Sequence, residues 1–173
     1  MNERAIPEFG RLEECPSCGA PLGGREGCQL AFDQLSARAW SDGGFASVHN
    51  LVVDTYAMQH PESYCVSAKS YAAHLFGLCC GVEHRADPTL YRAIARWLDG
   101  SAKPARPSTL DFRGTMTIAD IVSTSDPDVY RKWVNEWAEN VWDAYSVQHR
   151  LAREGLEEIR LSQGRASGSG EPL

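Results

Sequence analysis

No stretch of this chain approaches the roughly 20 consecutive apolar residues that a membrane-spanning helix requires, which excludes a conventional transmembrane span. The opening run MNERAIPEFGRLEE lacks the apolar core of a signal peptide, so the expectation is a cytoplasmic, non-secreted protein. Clustered basic charge is also missing. The net charge is −6 and the isoelectric point about 5.3, whereas phosphate binding needs grouped Lys and Arg. Even the first 30 residues carry three Arg against five Glu. The composition therefore argues against nucleic acid as a partner. No internal repeat is present.

What the chain does have is ordinary globular composition, 43% apolar and 23% charged over 173 residues, enough for one domain with a proper core. Six cysteines without a secretion signal point to thiolates rather than to a disulfide framework. Three of them, Cys15, Cys18 and Cys28, sit together near the front. The other three, Cys65, Cys79 and Cys80, lie in or beside apolar helical sequence, where a buried inert thiol is the usual state.

Periodicity and punctuation predict a mainly α protein, a bundle of four or five helices with a zinc knuckle at its N-terminal end. An irregular lead-in covers 1–14, a single helical zinc-binding domain 15–161, and a disordered Gly/Ser-rich tail 162–173. Apolar positions Phe32, Leu35 and Ala39 predict a first helix from Cys28 to the stop at Ser41-Asp42-Gly43-Gly44. A second helix is predicted from Ser47 to His60, closed by Pro61. After the loop PESYCV, Ser67 caps a third, and Asp87-Pro88 opens a short fourth. Residues 99–125 read as an ordered surface loop containing one strand or one helical turn. Asp126-Pro127 then starts a single long helix reaching about Leu161, with its apolar stripe running from Tyr130 through Trp133/Val134, Trp137 and Val141 to Ile159.

Cys15-Pro-Ser-Cys18-Gly is the tight knuckle in which two thiolates converge on one ion. Structural zinc takes four ligands in a tetrahedron, so two more are needed. Cys28 is the natural third. If the first two helices run antiparallel, Cys28 and His60 lie at the same end of the pair while Cys79 and Cys80 lie at the other. The predicted metal ligands are therefore Cys15, Cys18, Cys28 and His60. His49 shares a helix face with His60, but eleven residues separate them, about 16 Å at 1.5 Å per residue, so it serves another purpose. Antiparallel packing brings His74 level with Val53–Asp54, and His149 falls on the aromatic stripe of the last helix. The sharp reading is a three-histidine site of His49, His74 and His149, with Asp54 fixing a ring tautomer. It would make the protein a metalloenzyme, a transferase or hydrolase acting on a small molecule. The alternatives are a non-catalytic zinc-stabilised module binding a small ligand or partner protein, and, last, a nucleic-acid-binding zinc protein. Asp54, Gln59 and Lys69-Ser70 interrupt apolar segments and must find buried partners, lining a pocket or pinning helices.

The run from Val48 to Pro61, VHNLVVDTYAMQHP, with the Cys-Pro-x-Cys-Gly head before it and Ser67-Ala-Lys-Ser-x3-His74-Leu after it, resembles an uncharacterised family of small bacterial proteins, a domain of unknown function. The likeness covers about residues 15–83 and the Trp137–His149 segment. It implies a bacterial cytosolic protein and directs attention to Cys15, Cys18, Cys28, His49, Asp54, Tyr56, Gln59, His60, Ser70, His74 and His149, without supplying a reaction. A weaker likeness is to the DinB-like helical bundles, in which three histidines hold a divalent metal. The last helix departs from that pattern, offering Tyr145-x3-His149 where two histidines belong.

Overall fold

The computed structural model describes residues 12–167, with side chains as far as Ser162. Among these residues there is no strand. The chain forms α1 (Gly24–Ser41), α2 (Gly43–Ala46), α3 (His49–Gln59), α4 (Pro61–Tyr64), α5 (Ala68–Glu83), α6 (Pro88–Asp99), α7 (Pro127–Ala144) and α8 (His149–Ser167), with 3-10 turns at Ile118–Asp120 and Ser146–Gln148. Two of the eight α segments are single turns, so the mainly α bundle with an N-terminal Cys/His cluster is what the sequence led us to expect.

The starts and stops have local causes. Ser67 accepts from the Ser70 amide while the Ser70 hydroxyl accepts from the Ser67 amide, a complete capping box opening α5. Asp87 and Asp126 cap α6 and α7, each followed by a proline at the first helical position. α1 starts earlier than the expected Cys28, because Gly23 and Gly24 take positive φ and turn the chain into the helix directly after the knuckle. The expected Ser47–His60 helix forms as α3, His49–Gln59. Gly43–Ala46 makes its own turn, capped by Asp42, and α3 ends at Gln59 with Pro61 opening the short α4 inside the expected loop.

α5 is the central element. Ten of its residues are buried, including Tyr71, Leu75, Leu78, Cys79 and Cys80, because α3, α6, α7 and α8 all pack around it. A helix apolar on every side is a helix enclosed on every side. Cys65, Cys79 and Cys80 are buried in this core, and burial pushes each thiol up to about 12. They are inert filler, as expected.

The expected single helix to Leu161 is interrupted. α7 stops at Ala144 and α8 restarts at His149, with no glycine or proline between them. Buried polar side chains hold the corner. The Tyr145 hydroxyl donates to the Met58 carbonyl at 2.7 Å, and Gln148 accepts from the Tyr71 hydroxyl while donating to the Ser108 carbonyl. The His149 ring stacks on Trp142 at 3.8 Å and its Nε2 lies 2.8 Å from the Trp142 carbonyl. Of the stripe pair, Val134 is buried while Trp133 faces out. α8 continues to Ser167, so residues 162–167 are helical rather than a disordered tail, and 168–173 lie outside the described residues. In the irregular stretch after α6, residues 118–120 form the helical turn, boxed by Thr117 and Asp120.

α8 crosses α5 closely at Gly155. A Cβ there would meet Phe76 Cζ at 2.3 Å, and the Phe76 ring is itself buried and packed on Trp97. Alanine at an exposed helical glycine gains about 1 kcal/mol. Here Gly155→Ala instead costs about 1–3 kcal/mol of overpacking, measured by urea denaturation; a gain in stability contradicts the crossing.

Candidate metal centre and the cleft beside it

The sequence Cys15-Pro-Ser-Cys18-Gly19 folds into a tight turn because Gly19 takes φ +80°. The Gly19 amide donates to the Cys15 carbonyl at 2.8 Å, and the Cys15 amide to the Ala20 carbonyl at 2.9 Å. No side chain obstructs a Cβ at Gly19, so backbone conformation is what requires glycine there. The loop then returns through Gly23 and Gly24, whose amides both donate to the Glu13 carbonyl. This places Cys28, on the second turn of α1, against the knuckle.

The fourth group arrives from α3. His60 Nδ1 lies 2.7 Å from the Tyr56 carbonyl. A carbonyl only accepts, so Nδ1 carries the proton and Nε2 is offered to the cysteines. Its ring stacks on Tyr56 at 3.9 Å, and Tyr56 stacks on Phe32 at 4.2 Å, which fixes the plane of the imidazole.

The ligand atoms of Cys15, Cys18, Cys28 and His60 all lie within 4.8 Å of one another. The separations discriminate further. Zinc–sulfur bonds of about 2.3 Å and zinc–nitrogen bonds of about 2.0–2.1 Å, set at tetrahedral angles, require S···S of about 3.8 Å and S···N of about 3.6 Å. Cys18 and Cys28 sulfurs are 3.7 Å apart, and His60 Nε2 is 3.6 Å from Cys15 and 3.4 Å from Cys28. The four residues are thus positioned to hold one metal ion. Without an ion the same crowding polarises the thiols. The Cys18 contact, aided by His60 and the Tyr56 hydroxyl, lowers Cys28 to about 4 against the cost of its burial. Cys18 is raised in turn by its contact with Cys28 and by burial.

A buried arginine that sequence reasoning missed ties this centre to the bundle. Arg113 donates to the carbonyls of Ser17, Gln59 and Leu110 and pairs with Glu62. Gln59 donates to the Arg113 and Met116 carbonyls and accepts from Trp137 Nε1 at 3.0 Å. The irregular 110–116 segment is thereby locked between the knuckle, α3 and α7. A lone arginine in a loop carries no periodic signal; the polar Gln59 among the buried residues at the end of α3 was the visible clue. Gln59 pins helices, Ser70 is a cap, and Lys69 donates to the Gly100 carbonyl over the Trp97 ring, so these residues do not form a common network with Asp54.

His49, His74 and His149 do not assemble into the expected three-histidine site. Among the described residues, neither group of three or more close ligand atoms contains any of them. His149 is turned onto Trp142 at the helix break, and His49 sits beside Trp40, ring centroids 6.2 Å apart. Their helices are packed as expected, but the side chains serve separate neighbours. The second close group, Cys79, Glu83 and His84, is compromised, since Glu83 accepts from Arg153 and from Trp142 Nε1.

The Asp54–His74 half of the expectation does form. His74 Nδ1 donates to Asp54 Oδ1 at 2.8 Å, across the α3–α5 contact. The pair lies in a cleft of about 460 Å³ between α3, α5 and α6, whose polar lining includes Asn50, Tyr91 and Arg92. Burial raises the Asp54 carboxyl to about 6, against the lowering effect of His74.

Fold and site together define a small protein, all-helical among the described residues, with a Cys3His cluster positioned to hold a metal ion. The model of DUF5946, a family of unknown function, matches residues 13–146, and the chain belongs to that family. Neither a curated protein nor a solved structure matches it.

The Asp54 shift has a pH consequence. A carboxyl whose folded value is raised from 3.8 to about 6 favours folding in its neutral form, so its contribution is full below pH 4 and is lost as pH rises through 6. Asp54→Asn, neutral throughout, should therefore gain stability relative to wild type between pH 4 and pH 7 in urea melts. A difference independent of pH contradicts the assignment.

Proposed function

We propose that this protein is a zinc-stabilised small-molecule-binding protein of a reducing, cytoplasm-like compartment, in which the zinc is structural and the ligand occupies the cleft between α3, α5 and α6. The observation that carries the reading is the ligand tetrahedron itself. Four protein atoms lie within 4.8 Å of one another, and the Cys18–Cys28, Cys15–His60 and Cys28–His60 separations are close to tetrahedral values. Such a set can fill all four positions of a zinc ion and leave none open for substrate, the mark of a structural rather than a catalytic zinc. Soft thiolates with one imidazole favour zinc over oxygen-preferring cations. Cys15, Cys28 and His60 are buried. A second cavity of about 460 Å³ beside the centre is lined by Tyr56 and His60, but by none of the cysteines, so it offers no path to the sulfurs. Three thiolate ligands also call for a reducing environment. The acidic net charge speaks for a small molecule rather than nucleic acid. No helix among the described residues is long and apolar enough to cross a membrane.

The metalloenzyme reading depended on histidines that stand apart, so the binding module is the better account. Protein purified without added metal should carry about one zinc per chain by elemental analysis; less than about a third of an equivalent contradicts the proposal. Structural zinc contributes its binding energy to folding. Cys15→Ser should lose the ion and several kcal/mol of stability, a fall of about 10 °C or more at roughly 2–4 °C per kcal/mol. A Cys15→Ser protein with unchanged melting temperature would show the knuckle to be dispensable for the fold.

A further inference from the structure

We infer that the cleft is a hydrolytic site in which His74 acts as a general base on small acyl esters bearing an anionic group. The inference rests on the reading of the cleft as the ligand site, and needs no metal.

The geometry begins with a vacancy in α5. Gly77 lies one turn after His74, and a Cβ there would fall 2.0 Å from Asp54 Oδ2. Glycine in mid-helix lowers helix stability, and here it lets the Asp54 carboxylate lie against the helix backbone directly behind the imidazole. The cost of keeping a carboxylate in that place is compounded by its burial. A buried acid retained at the expense of stability, beside one specific partner, in a cleft, is the pattern of a functional site.

The dyad has a direction. A carboxylate only accepts, so Asp54 Oδ1 holds the proton on Nδ1 of the neutral ring and leaves Nε2 a free lone pair. The His74 side chain keeps 22% of its surface exposed, and it lines the cleft. No other hydrogen bond engages this ring among the described residues, in contrast to His60 and His149, whose nitrogens serve the cysteines and a carbonyl. Around the dyad, Tyr91 is already committed, donating to the Gly77 carbonyl at 3.1 Å. Its hydroxyl, the Cys80 thiol and Asp54 are the titratable groups nearby, and burial raises all three.

Substrate class follows from the remaining wall. Arg92 lines the cleft from α6. It touches Thr89 but forms no ion pair with a carboxylate among the described residues. An unneutralised guanidinium beside an apolar cleft suits a small molecule with one carboxylate or phosphate and a hydrocarbon body. The cleft offers no serine or cysteine in place of a nucleophile, so water is the attacking group. His74 Nε2 takes a proton from water as its oxygen bonds to the acyl carbon and the carbonyl electrons move onto oxygen. Collapse of that adduct breaks the ester C–O bond, and the proton on Nε2 passes to the departing oxygen, giving acid and alcohol.

The test uses the zinc-containing full-length protein with 4-acetoxybenzoate, a monoanionic ester whose carboxylate cannot attack its own acyl group, and its neutral methyl ester. Wild type should hydrolyse 4-acetoxybenzoate faster than buffer, with a rate that rises as one group deprotonates. His74→Asn should lower kcat at least about a hundredfold with zinc content unchanged. Asp54→Asn should lower kcat with KM held, because the neutral amide no longer fixes the ring as the carboxylate does. Arg92→Ala should raise KM for the anionic ester alone. Hydrolysis no faster than buffer, or an equal rate in His74→Asn, overturns the inference. Loss of zinc in His74→Asn would count against the separation of cleft from metal centre, so failure of the structural-zinc reading is read on a different instrument.

Discussion

Three cysteine sulfurs and one imidazole nitrogen drawn from three separate pieces of chain meet within 4.8 Å of one another, and much of the molecule is arranged to let them. The knuckle contributes two through a turn that only glycine at position 19 relaxes into. α1 contributes Cys28 and α3 contributes His60, so the site fixes the relative placement of the first two long helices. His60 in turn depends on the Tyr56 carbonyl for its tautomer and on the Phe32–Tyr56 stack for its plane. An ion held in this way would act as a small core for this end of the bundle. Arg113 carries the constraint further, joining the Ser17 carbonyl of the knuckle to the end of α3 and to the irregular 110–116 segment.

The opposite face of α3 is organised by other means. Gly77 and Gly81 thin α5 so that Asp54 and Leu51 can approach it, and the resulting contact brings Asp54 to His74. The chain thus has two polar centres on the two sides of one short helix. One is a cluster of three cysteines and a histidine in which Cys15, Cys28 and His60 are buried. The other is a half-open dyad with a free imidazole nitrogen. Burial acts on both, but to opposite ends. At the metal centre it shelters thiolates that an ion would neutralise, while in the cleft it keeps a carboxylate in place at a cost to stability.

The gathering of Cys15, Cys18, Cys28 and His60 was legible in the sequence because it follows from simple geometry. The spacing of the knuckle, the register of Cys28, and the antiparallel return that sets His60 at the same end need only helix pitch and short loops. Asp54 opposite His74 was legible for the same reason. The three-histidine site was not a comparable inference, since it needed side-chain directions as well as helix levels. His149 belongs to a corner that no glycine or proline announces, and its ring is claimed by Trp142. That corner is made by Tyr145 and Gln148 reaching distant partners, Met58, Tyr71 and Ser108, and tertiary hydrogen bonds of this kind leave no periodic trace. Arg113 escaped notice for the same reason, while the early start of α1 came from paired glycines that read equally well as a loop.

The central claim is that one zinc ion is held by three sulfurs and one imidazole with no position left over, and X-ray absorption at the zinc edge of the purified protein tests it most directly. The account predicts a first shell of three sulfurs at about 2.3 Å and one nitrogen at about 2.0–2.1 Å, unchanged when 4-acetoxybenzoate is added. A shell containing water oxygen, a fifth ligand, or fewer than three sulfurs would contradict a closed structural site and return the metal to the chemistry.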